Sequence, residues 1–106
     1  MNLEQSSTIY GNGIVGKKEK VLSESEQVLQ VLKLSVAILI ARTKIRDFWA
    51  EGFEDAATLL DAVPLATSRF DSAKSHLANA NVYCRQIEFG AATFELRALR
   101  GRLQSL

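Results

Sequence analysis

The fold turns on residues 56–101, AATLLDAVPLATSRFDSAKSHLANANVYCRQIEFGAATFELRALRG. Stepping alternately by three and four residues from Ala56 meets Leu59, Val63, Ala66, Phe70, Ala73, Leu77, Ala80, Cys84, Ile87, Ala91, Phe94, Ala98 and Gly101. Every one is apolar or glycine. A strand would alternate with a period of two; this spacing follows the helical turn and paints one stripe along a helix. Large side chains alternate with alanine, which lets helix axes approach closely. Phe70 and Phe94 are the expected core anchors of this seam, and Cys84 on it is expected to be a small buried hydrophobe.

Working outward, Ser23 to Glu26 reads S-x-x-E, a capping box ahead of an apolar run, and predicts a helix start. The apolar positions Val31, Leu34, Ile38, Ala41, Ile45 and Phe48 have the same three-and-four spacing and predict its inward face. Gly52 is the expected stop. As single helices, residues 56–101 would span about 69 Å and residues 24–51 about 42 Å. One cannot cover the other, so either the second half folds back or a second chain covers the excess. The candidate breaks are Val63-Pro64, where the residue before proline leaves the helical region, Asn79 to Asn81, and Gly90. The expectation is all-α: a helical bundle of three to four antiparallel helices over residues 23–106, preceded by a non-helical N-terminal arm over residues 1–22, and assembled as a homodimer.

In the arm, Asn12-Gly13 between "TIY" and "IVG" is a type I′ hairpin signal, with Ile9, Tyr10, Ile14 and Val15 as docking contacts. Gly11, Gly13 and Gly16 spell G-x-G-x-x-G, but a dinucleotide site needs that motif between a strand and a helix. Only ten residues precede Gly11. A P-loop would need Ser or Thr where Lys18 stands.

The chain has 106 residues and a net charge of +1. That is one domain, without the positive field of a DNA-binding protein. A single cysteine excludes an internal disulfide and suits a reducing, cytoplasmic setting. The N-terminus lacks the basic start and apolar run of a signal peptide. The most apolar run, residues 28–41, contains Gln30, Lys33 and Ser35 and falls short of the roughly 20 residues of a membrane span. Charge is polarised: residues 17–46 carry seven bases and three acids, and residues 47–71 carry six acids and one base. Acids near helix starts and bases near helix ends match the helix dipole.

His76 is the single histidine. Metal sites gather several His, Cys or carboxylate groups, and Cys84 lies eight residues from His76, off its face. No Glu-x-x-His pair is present. The expectation is no metal, no cofactor and no catalytic residue.

Two local patterns resemble known families. Arg69 and His76, with six residues between them on a helix, resemble the arginine–histidine motif of the HEPN ribonucleases. That resemblance implies that Arg69 holds phosphate and His76 takes part in RNA cleavage, with RNA as the partner. Phe70 follows the arginine where the family usually has a polar residue. "FWAEGF", residues 48–53, looks like the turn of the secreted WXG helical hairpins. The spacing from Trp49 to Gly52 is one residue longer, and Ile87 stands where an acidic residue would follow Tyr83.

Read from the residues themselves, Phe48, Trp49 and Phe53 sit at a helix–helix corner, where aromatics close the end of a bundle. With Tyr10 they are the candidate binding residues. The functional expectation is a non-catalytic helical protein–protein interaction module: an adaptor, a chaperone-like subunit or an antitoxin-type partner. Its partner would be a second copy or another helical protein, not DNA and not a membrane. An RNA-cleaving module using Arg69 and His76 is the alternative. A shared exposed cleft for those two residues would mark the enzyme; an exposed apolar stripe would mark the interaction protein.

Overall fold

The computed structural model describes residues 23–65 and 67–104. The N-terminal arm, with Tyr10 and its glycines, lies outside the described residues. Four helices follow: α1 (Glu24–Lys44), α2 (Ala50–Asp61), α3 (Thr67–Arg85) and α4 (Phe89–Gln104). The fold is an all-α bundle, with no strand among the described residues.

α1 starts where the capping box places it. The Ser23 hydroxyl accepts the Glu26 N–H at 3.2 Å, and Glu26 Oε1 accepts the Ser23 N–H at 2.9 Å. Two donors that a helix start leaves orphaned are thereby satisfied. The far end is a surprise. α1 stops at Lys44, not at Gly52. Arg46 takes a left-handed φ of 62°. Its N–H bonds Thr43 O at 3.0 Å, while Asp47 N–H reaches back to Arg42 O at 2.9 Å. That paired closure is a Schellman motif, built without glycine. α3 ends the same way: Ile87 has φ 63°, and Glu88 N–H bonds Tyr83 O at 2.8 Å.

α1 packs on α2 and α4, and α3 packs on the same two helices, so the helices form a closed ring running up, down, up, down. At one end the Arg46 guanidinium lies 5.3 Å from the Phe89 ring centre, and Thr43 Oγ1 lies 4.0 Å from Cys84 Sγ. At the other end Leu29 shares a cavity with Val63, Pro64 and Leu65. Each helix supplies a stripe to one core: Leu32, Val36 and Leu39; Phe53, Ala56 and Leu60; Ala73, Leu77, Ala80 and Cys84; Ala92, Leu96, Leu99 and Leu103. Fully burying a leucine, valine or phenylalanine contributes about 1.5–3 kcal/mol, so this core is what holds the ring closed.

The seam read from sequence holds through α3, where Ala73, Leu77, Ala80 and Cys84 are buried, and then slips. The core of α4 is Ala92, Leu96, Leu99 and Leu103, one or two residues beyond Ala91, Phe94, Ala98 and Gly101. The turn at residues 86–88 reverses the chain and resets the helical phase. Phe94 is therefore 70% exposed and is no core anchor, whereas Phe70 is partly buried against the core. The chain breaks at Val63-Pro64 and at residues 86–88, while Asn79 to Asn81 lie inside α3 and Gly90 lies inside α4. With the second half divided among three helices, the length mismatch that suggested a dimer disappears.

Candidate interaction surface

The largest correction concerns α1. Its buried residues are Leu32, Val36, Leu39, Ile40 and Thr43. The stripe expected to face inward faces out: Val31 is 50% exposed, Leu34 63%, Ile38 41% and Ile45 73%. At 100° per residue the two sets centre about 155° apart on the helix. α1 is apolar on both faces. A helix apolar all round is normally buried on all sides, yet α1 is an outer wall of the ring.

Ala37 and Ala41 fill out the stripe. Among the described residues Gln30, Val31, Lys33, Leu34 and Ala37, all on α1, line a shallow depression of about 450 Å³. A second cavity, about 320 Å³, lies where Val31 and Ser35 meet Asp55, Thr58 and Leu59 of α2. α2 is only 12 residues long against 21 for α1, so it covers part of that flank and leaves the rest open. Large exposed apolar patches are where proteins meet their partners, which makes this face the candidate surface.

The candidate binding residues Phe48, Trp49 and Phe53 cluster at the α1–α2 corner, with Phe48 at the surface. Phe53 is buried, and its ring centre stands 5.9 Å from that of Phe48. Trp49 is partly buried, with the Arg42 guanidinium 4.7 Å from its ring centre. Arg42 also pairs with Asp47 at 3.2 Å. Gly52 has its own reason: the Trp49 ring occupies the space where a Cβ would project. The glycine permits a close approach and is not a helix stop.

His76 and Arg69 lie on α3. His76 Nδ1 is 2.8 Å from Glu95 Oε1 on α4, and both side chains are mostly buried. The carboxylate accepts, so Nδ1 carries the proton and the ring is held in one orientation between two helices. Neither Arg69 nor His76 lines either α1 cavity. Nor do they line a basic cavity, about 390 Å³ between the end of α1 and the start of α4, which takes Lys44, Arg46 and Arg97. Cys84 is buried, and burial pushes its thiol pKa up, partly offset by the Thr43 hydroxyl. A raised pKa in an enclosed site is the opposite of what an activated thiol needs. Among the described residues no three His, Cys, Asp or Glu groups gather to hold a metal, and no helix is long and apolar enough to cross a membrane.

No protein-family model, curated protein or solved structure matches the chain. What it does must be argued from its own surfaces. The α1 stripe was legible as a seam in the sequence; which way it pointed was not.

Proposed function

We propose that this chain is a non-catalytic helical interaction module that works by burying the outer face of α1 against another helical surface. The observation that carries the reading is the stripe Val31, Leu34, Ile38 and Ile45, exposed opposite the core. Leaving such side chains in water forgoes about 1.5–3 kcal/mol for each one that a partner could fully bury. Adaptor, chaperone-like subunit and antitoxin-type partner are the roles such a surface serves. The reading includes a cytoplasmic setting, supported by a single, buried, free cysteine.

The test compares proteins retained from source cells by the tagged chain and by Leu34→Asp. Leu34 is exposed, so the variant keeps its fold; its melting midpoint is the control. The reading expects a species held by the parent and lost from the variant. Identical retained sets would contradict it. For the RNA-cleaving alternative, the parent and His76→Ala are incubated with mixed RNA without divalent metal. No cleavage by either is expected, and cleavage that disappears in the variant would reverse the choice.

A further inference from the structure

We infer that the partner of the α1 face is a second copy of this chain, docked α1 against α1 in antiparallel orientation about a two-fold axis. This rests on the interaction reading above and specifies its occupant. Val31, Leu34, Ile38, Ala41 and Ile45 repeat at intervals of three and four, as a and d positions of a coiled coil do. The a positions Val31, Ile38 and Ile45 are all β-branched, and d holds Leu34 and Ala41. In parallel coiled coils β-branched a with leucine at d favours two strands, so this composition argues for a pair of helices but not for its orientation. Ala37 and Ala41 permit close approach of the two axes.

Charge selects the orientation. α1 has Glu24 and Glu26 in its first turn and Arg42 and Lys44 in its last. Glu24 occupies the a position one heptad before Val31, so a parallel pair would set it directly against its own copy. The antiparallel pair removes that clash and lays each acidic start beside the other copy's basic end. With Leu34 level with Ile38 of the other copy, Val31 falls level with Ala41, and Gln27 with Ile45. In an antiparallel pair like flanks meet, so Ala37 faces Ala37, Ser35 faces Ser35, and Gln30 faces Lys44. Glu26 and Lys44 share a flank and come within about 3 Å of the same level along the axis. No like charges oppose, and the helix dipoles align favourably. The surface is thus self-complementary under a two-fold, the requirement for an isologous dimer.

The experiment is cross-linking of the full chain in a Cys84→Ala background with a short bismaleimide. Gln27→Cys and Ile45→Cys are made as separate proteins, then mixed and allowed to exchange. In the antiparallel pair two copies of position 27 lie about 27 Å apart, beyond the reagent. The expected result is cross-linking in the mixture, little in either protein alone, and loss of the product when Leu34→Glu is added to both. Cross-linking of each protein to itself would show a parallel pair and overturn the orientation. Product that survives Leu34→Glu would place the dimer contact elsewhere. A monomer without product in any sample would remove the self-pairing, whereas the interaction reading falls only if the parent and Leu34→Asp retain identical proteins from cells.

Discussion

At the residue scale, two positions carry testable consequences. Ile87 closes α3 with φ 63°, and its side chain is 68% exposed. A β-branched residue there is a conformational outlier, and the left-handed region costs an L-residue about 1–2 kcal/mol. Glycine has no such penalty but loses more backbone entropy, about 0.5–1 kcal/mol. Ile87→Gly should therefore stabilise by about 0.5–1 kcal/mol and raise the thermal midpoint by several degrees; a lower midpoint would show that Ile87 makes a contact worth more than its strain. Sequence reading placed Ile87 on the seam because apolar spacing carries no information about backbone sign. Neither Schellman turn advertises itself with glycine, which is why both helix ends were illegible.

Cys84 gives a pH dependence with a definite sign. Burial raises its folded pKa, so above the unfolded thiol value of about 8.5 the unfolded chain releases a proton that the folded chain keeps. The contribution is present below that value and is lost as pH rises through the raised folded one. Denaturant titrations at increasing alkaline pH should show the parent losing stability faster than Cys84→Ala. Equal slopes would mean that the thiol is not shielded.

At the scale of elements, the corner between α1 and α2 depends on Gly52. Gly52→Ala should push the Trp49 ring off the backbone and away from Arg42. The expected loss is about 1–3 kcal/mol, typical of overpacking, with a shift in tryptophan emission. An unchanged spectrum and midpoint would contradict the packing. α4 supplies a paired test of its register. Leu96→Ala should cost about 2–5 kcal/mol, whereas Phe94→Ala, on the exposed side, should stay within about 0.5 kcal/mol. The reverse order would restore the seam that sequence alone suggested. That seam was legible through α3 because one helix keeps one phase. It failed in α4 because a tight turn resets phase by an amount that spacing does not encode.

At the scale of the whole molecule, the all-helical class, the α1 start and the proline break could all be read from the chain. A capping box, periodic apolar spacing and the proline ring act locally. The direction of α1 could not be read, because Leu32, Val36, Leu39 and Ile40 satisfy helical spacing as well as Val31, Leu34, Ile38 and Ala41 do. Choosing between two apolar faces needs the other three helices in place. The expected homodimer survives as a proposal on new grounds: the unequal helix lengths that suggested it are gone, and an apolar face with complementary charged ends stands in their place.

The most direct test of that account is sedimentation equilibrium of the parent and Leu34→Glu at micromolar concentration, with matched helical spectra. The account predicts a parent of at least twice 11.7 kDa and a folded variant at the monomer mass. A parent that stays monomeric, or a variant that associates as the parent does, would contradict it.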